Sequence, residues 1–179
     1  MSAEDRRFER TGGRTIYEGR IVTVAIESFR FADGDEVERE VVHHDGAACV
    51  VAHDDTHLYL VRQPREVLGD PDFLEIPAGR LDQEGESPLE AAKRELAEEI
   101  GKAASRWEPV TSYVSSAGIS DEVIHVFHAT GLSDRHAESD ENERIEIVRW
   151  PLDDIAGALA ATRDAKTIIG LQWLKLARG

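Results

Sequence analysis

One cysteine in 179 residues excludes an internal disulfide, so the fold of this chain is held without covalent cross-links between its own cysteines. That residue, Cys49, sits in the apolar run Ala47-Ala48-Cys49-Val50-Val51-Ala52, which predicts a buried thiol and argues against a cysteine nucleophile. No apolar run approaches the roughly 20 residues needed to cross a bilayer, and the charged N-terminus MSAEDRRFER is no secretory signal. The expected compartment is therefore the cytoplasm, with no membrane partner. Basic residues are scarce as well: 21 Lys and Arg stand against 36 Asp and Glu, a formal net charge of −15. A field of that sign repels polyanions, and no segment carries a clustered basic stripe, which argues against nucleic acid as a partner. A small anionic substrate stays open, because metal ions and a few placed arginines reverse the potential locally. The seven histidines show no zinc spacing; His43 and His44 are adjacent, and His125 and His128, three apart on a strand, point to opposite faces, so structural or surface roles are expected.

What the chain does have is an acidic helix. In 76–102, IPAGRLDQEGESPLEAAKRELAEEIGK, Ser87 reads as N-cap, Pro88 as the first helical residue and Glu90 as the reciprocal partner of a capping box, while Gly101 supplies the stop. Leu89, Ala92 and Leu96 recur at core-facing spacing. Glu95, Glu98 and Glu99 share another face, three and four apart. Like charges at that spacing cost an isolated helix about 0.2–0.5 kcal/mol per pair, and a multivalent cation with a preference for carboxylate oxygen would complete them. Charge alone favours the plainer reading, a solvated acidic face.

The coarse organisation is mixed. Strands are expected at 20–31, following a polar leader, and at 37–44 across the turn Ala32-Asp33-Gly34-Asp35; further strands at 47–53 and 57–61 flank the turn Asp54-Asp55-Thr56. The stretch Gly69-Asp70-Pro71-Asp72 reads as irregular. Beyond the acidic helix, strands at 107–114, 122–129 and 145–150 precede helices at 152–161 and 164–177. This pattern predicts an α+β layered fold, with 1–44 as an N-terminal hairpin region and 45–179 as the main domain.

The surroundings of the carboxylates are specific. Gly79, six residues, Glu86, seven residues and then Arg94-Glu95-Leu96-Ala97-Glu98-Glu99-Ile100-Gly101 resemble the Nudix box. There are two departures, one extra residue between Gly79 and Glu86 and Lys102 where an apolar residue is usual. The insertion falls before the helix and leaves Glu86 in register with Arg94. The N-terminal hairpin, Leu60-Val61-Arg62-Gln63 followed by Arg65, Leu74-Glu75-Ile76-Pro77-Ala78-Gly79, Ser116-Ala117-Gly118-Ile119-Ser120-Asp121-Glu122 and Leu171-Gln172-Trp173-Leu174 are all similar to the ADP-ribose pyrophosphatase branch of that family.

The resemblance implies an α/β/α sandwich around a mixed sheet, with a small N-terminal antiparallel sheet swapped within a homodimer. It implies a magnesium-dependent hydrolase, manganese being the alternative, that splits ADP-ribose into AMP and ribose 5-phosphate. Other nucleoside diphosphates linked to a second group, nucleotide sugars or dinucleotides, are the runner-up substrates; a nucleotide sensor without turnover is a third reading, which the intact carboxylates argue against. Metal ligands would be Glu95, Glu98, Glu99 and the carbonyl of Ala78. Arg94 would orient Glu86 and Glu98 through its fork. A base must come from elsewhere, since carboxylates that hold metal are poor proton acceptors. The acidic stretch 133–143 would supply it, with Glu143 first and Glu141 second. Arg65 and Glu66, at the end of a strand, are expected at the rim of a cleft, Arg65 toward phosphate, with a surface ion pair as the plain alternative. Arg80 is a second candidate for phosphate or ribose. Gly118 would allow close approach near the terminal ribose, with Asp121 and Glu122 beside it, and Tyr17 or Phe29 would stack on adenine.

Overall fold

A computed structural model describes residues 6–135 and 144–179 of the chain. The chain forms two compact units, one of residues up to Gly46 with Val114–Val123, the other Ala47–Tyr113 with Ile124–Gly179.

The smaller unit is a three-stranded antiparallel sheet in the order β1 (Phe8–Glu18), β2 (Val22–Phe31), β3 (Glu36–His44). The expected polar leader is a strand. β1 is exposed along its whole length, so no apolar alternation marks it in the sequence. Its pairing with β2 carries it, through two register shifts at Arg10/Gly12 and Thr15/Tyr17. The 114–123 excursion joins the same unit by Val42 N donating to Ile119 O at 2.8 Å and Ser120 Oγ donating to Val42 O at 3.0 Å.

The larger unit runs β4 (Ala47–His53), β5 (His57–Arg65), a 3-10 turn at Glu66–Leu68, β6 (Asp70–Glu75), β7 (Ala78–Arg80), α1 (Pro88–Ile100), β8 (Lys102–Val114), β9 (Val123–Asp134), β10 (Glu146–Pro151), α2 (Ile155–Ala161) and α3 (Ala165–Arg178). The strands form one mixed sheet, β10-β5-β4-β9-β8, with β4 and β9 parallel. Alternation along β4 sorts its side chains into two cores. Cys49 and Val51 pack with Leu58, Leu60 and Ile76 against Ile155 and Ala158 of α2 and Leu171 and Leu174 of α3. Ala48, Val50 and Ala52 pack with Tyr59 and Val61 against Ala91, Ala92, Leu96 and Ile100 of α1. Helices therefore cover both faces, the α/β/α sandwich expected. Burial pushes the Cys49 thiol up to about 12, which keeps it inert. No helix among the described residues is long and apolar enough to cross a membrane.

The sheet opens where the site is built. β4 and β5 pair only next to their turn, at Ala52↔Tyr59 and His53↔Leu58. Beyond that point β5 pairs with β6 and β4 with β7, so the connection Ile76-Pro77 lies where the two strands diverge. Strand 70–75 contradicts the irregular reading of 69–72: Asp70 is paired to Arg65 across a register shift, and the partner strand outweighs Pro71, which sits near the strand's start where its missing N–H costs little.

Candidate active site

Helix α1 is built as its sequence demands. Ser87 Oγ accepts from Glu90 N at 3.3 Å and Ser87 N donates to Glu90 Oε2 at 2.9 Å, the reciprocal capping box, while Gly101 closes the helix in the left-handed conformation at φ 66°. Seven residues of the helix are buried, Glu95 and Glu99 among them. Burying two carboxylates on one helix costs free energy unless each is hydrogen-bonded or paired, so each needs a partner.

Arg94 holds one side. Its Nε and Nη2 donate to Glu86 Oε1 and Oε2 at 3.0 and 3.1 Å, and its Nη1 donates to Glu95 Oε1 at 2.5 Å and Glu98 Oε2 at 2.9 Å. Its Nη2 also donates to Arg80 O at 3.3 Å, tying the helix to β7. One guanidinium thus orders three glutamates. The Glu86 hydrogen bonds are the main reason the Arg94 pKa is raised, burial working against them. Glu99 is held from the loop side, its Oε2 accepting from Ala78 N at 3.0 Å. Gly79 completes the arrangement by having no side chain. A Cβ there would lie 1.8 Å from Glu95 Oε1, so any other residue would displace that carboxylate.

Among the described residues no group of three or more His, Cys, Asp or Glu side chains is arranged to hold a metal ion as the side chains stand. Arg94 lies between Glu95 and Glu98, and Glu99 is turned to the Ala78 amide. The donors are all oxygen, which fits a hard divalent cation. Along the outer side of α1 a groove of about 290 Å³ is lined by Glu90, Lys93, Arg94, Ala97, Glu98 and Arg135.

The NUDIX domain family matches residues 42–171. This chain belongs to the Nudix family. It is 36% identical over 166 residues to an ADP-ribose pyrophosphatase of Bacillus subtilis, covering 90% of this chain and 89% of the relative. A methanol dehydrogenase activator of Bacillus methanolicus matches over the same shares at 36% identity. An ADP-ribose pyrophosphatase of Mycobacterium tuberculosis is 39% identical over 74% of this chain and 67% of its own length. Among solved structures, one of an ADP compounds hydrolase superposes with a TM-score of 0.85 at 25% identity, covering 98% of this chain and 96% of that one. The chain is a Nudix hydrolase.

Within this Nudix site the other sequence-derived residues fare unevenly. Arg65 does sit at the end of β5, but its Nε and Nη2 are both given to Glu75, at 2.5 and 2.9 Å. Glu66 is exposed on the 3-10 turn, and Arg80 donates to Asp82 at 2.5 Å. Gly118 belongs to the other unit, where an added Cβ would meet nothing within 4 Å. Glu141 and Glu143 lie outside the described residues.

Sequence reasoning passed over Glu75, the most deeply buried acid described, at 1% exposure. Besides Arg65 it binds Lys166 Nζ, which also reaches Asp164 Oδ1 at 3.0 Å. Burial alone would raise the Glu75 carboxyl, but the Arg65 hydrogen bonds and the Lys166 charge outweigh it and hold it below the usual range. Burial likewise lowers Lys166, and Asp164 and Glu75 more than reverse it. The group is thus held ionised. A lone acid inside the apolar stretch Phe73-Leu74-Glu75-Ile76 was the available signal, because a charge in a buried strand demands partners. In the smaller unit, His43, expected as a surface or structural residue, lies between two carboxylates, Nδ1 at 2.6 Å from Asp121 Oδ2 and Nε2 at 3.2 Å from Glu27 Oε1. His128 has its Nε2 3.0 Å from that of His53, a contact that strand spacing did not foretell.

Proposed function

We propose that this Nudix hydrolase cleaves the diphosphate of ADP-ribose to AMP and ribose 5-phosphate with a divalent cation, magnesium first and manganese second. The observation that carries the reading is the Arg94 fork, which sets Glu86, Glu95 and Glu98 beside Glu99 in a chain whose relatives at 36 and 39% identity are named ADP-ribose pyrophosphatases. Glu95, Glu98, Glu99 and the Ala78 carbonyl would hold the cation. When bound, it would neutralise phosphate oxygens and ease deprotonation of water.

The chain's own residues do the rest. Arg65, at the end of β5, neutralises a phosphate oxygen of the substrate, and Arg80 contacts phosphate or ribose from the box loop. A water oxygen attacks one phosphorus, the bridging P–O bond breaks, the bridging oxygen leaves with the other phosphate, and the water's proton passes to Glu143. Glu141 is the alternative acceptor. Glu143→Gln is expected to lower kcat by about 10²–10⁴ with little change in KM, and Glu141→Gln to do much less; the reverse result moves the base to Glu141. Tyr17 or Phe29 stacks on adenine, and Gly118 approaches the terminal ribose.

We place the enzyme in the cytoplasm, the compartment suited to a lone buried thiol, and as a homodimer in which 20–44 crosses to the partner. Four large apolar side chains of the N-terminal region, Phe8, Ile16, Tyr17 and Ile21, are each more than half exposed, a surface a second copy would cover. A monomer in sedimentation at micromolar concentration would remove the dimer.

Product analysis over a panel of ADP-ribose, nucleotide sugars and dinucleotides with magnesium tests the substrate. Preferred release of AMP and ribose 5-phosphate supports the assignment; equal rates on unrelated substrates sink it. The panel extends beyond ADP-ribose because a Streptomyces rubellomurinus relative, 30% identical over 89% of this chain and 78% of its own, is named a hydrolase of a CMP-linked phosphonate.

A further inference from the structure

The first turn of α3 grips the strand that leads into the site. Thr167 Oγ1, on a fully buried residue, accepts from Ile76 N at 2.8 Å and donates to Asp164 Oδ2 at 2.6 Å. Thr162 Oγ1 donates to Leu74 O at 2.8 Å. Between these two anchors, Lys166 Nζ reaches the Glu75 carboxylate, whose two oxygens take Nε and Nη2 of Arg65. The next residues are the site's own loop: Val50 N donates to Pro77 O at 2.9 Å, and Ala78 N donates to Glu99. The Glu75 hydrogen bonds are the main reason the Arg65 guanidinium pKa is raised, and the charge of Glu99 adds to them.

Arg65 binds Glu75 through Nε and Nη2, so the fork is fixed from one edge and the Nη1 edge is the one left to face a ligand. That edge has a defined direction only while the Glu75 carboxylate does. A carboxylate held by Arg65 alone can rotate with it. One also bound to an ammonium anchored by Asp164 cannot, because turning would strip two buried charges of partners. Lys166 is 13% exposed at its side chain and has no part in the hydrolysis described above.

We propose that Lys166 is a positioning residue for diphosphate binding, acting through Glu75 to hold the Arg65 guanidinium in the orientation that receives a substrate phosphate. This rests on the reading of Arg65 as a phosphate contact. Lys166 does not touch substrate; it fixes the group that does, as buried outer partners fix metal and substrate ligands elsewhere.

The test is a double-mutant cycle on the full chain, with ADP-ribose and magnesium as probe. Lys166→Met is expected to raise KM about tenfold, the size of one charge-assisted hydrogen bond misdirected, with kcat changed less than about threefold. Lys166→Gln, which keeps a donor for Glu75, is expected to do the same more weakly and serves if the methionine variant fails to fold. Lys166→Arg should recover most of the loss. The deciding arm is Arg65→Met: in that background the Lys166 substitutions should leave KM unchanged, because the group they steer is gone. A KM increase that persists undiminished without Arg65, or an effect seen only in kcat and melting temperature, overturns the proposal. Arg65→Met with wild-type KM would instead overturn the phosphate contact itself, and the proposal with it.

Discussion

Two charged clusters lie in the larger unit, and they are built on opposite principles. On α1 a single arginine serves three glutamates while a fourth, Glu99, leans on a backbone amide, so negative charge is in excess. Around Glu75 a single carboxylate lies between Arg65 and Lys166, with Asp164 beside the lysine, so charges balance. The balanced cluster holds the more deeply buried carboxylate, Glu75 at 1% exposure, since only a paired charge tolerates removal from water. The unbalanced one keeps Glu98 partly open, at 32% side-chain exposure, and stores a repulsion that a bound cation would relieve. An excess of one sign marks where a ligand of the other sign is to be held; balance marks scaffolding that keeps its shape with or without a ligand.

The difference can be broken by experiment, most sharply at Glu99. Glu99→Gln is expected to lower turnover by about 10²-fold or more while the melting temperature stays level or rises, because the proposed cation ligand would be lost and a like-charge neighbour of Glu95 disappears. Near-normal activity with magnesium would return the helix face to a solvated reading. At Glu75 the sign reverses. Glu75→Leu should cost about 3–5 kcal/mol in urea denaturation, since Lys166 and Arg65 lose a buried counter-charge, and adding Lys166→Met should recover part of that. No loss of stability would mean that the balance is not structural.

The smallest effect belongs to the smaller unit, where a histidine lies between two carboxylates. His43 lies at Asp121 and Glu27, and the Asp121 hydrogen bond is the chief cause of its raised pKa, burial opposing it. Its stabilising share is full below the unfolded value and is lost as pH rises through the folded one. For Asp121, burial raises the carboxyl but the His43 and His44 hydrogen bonds lower it, so its share is lost as pH falls through its depressed folded value. The pair therefore contributes most between the two. His43→Gln should narrow the gap to wild type as pH climbs from about 6 to about 9, read as melting temperature. A gap independent of pH would show that His43 acts by packing and not by charge.

Much of the active helix was legible in the chain because its determinants are local. The Ser87 capping box, Gly101 and the spacing of Glu95, Glu98 and Glu99 all lie within a few turns, and the Arg94 fork follows from helix geometry plus the Glu86 spacing. β1 was not legible, because a strand exposed on both faces has no period to betray it. Nor were β6 and β7, whose existence depends on β4 and β5 diverging, a decision taken between strands and not along one.

The sequence by itself determined the family, the helix with its ends, and the spacing of the carboxylates along it. Tertiary structure alone decided which of those residues are held, and by what. Lys166 meets Glu75 across 91 residues and Thr167 meets Ile76 across another 91, separations at which no local period carries information. Contacts of that kind arise only when α3 docks on the sheet and buries the strand beside it, where an unpaired charge costs too much to leave alone.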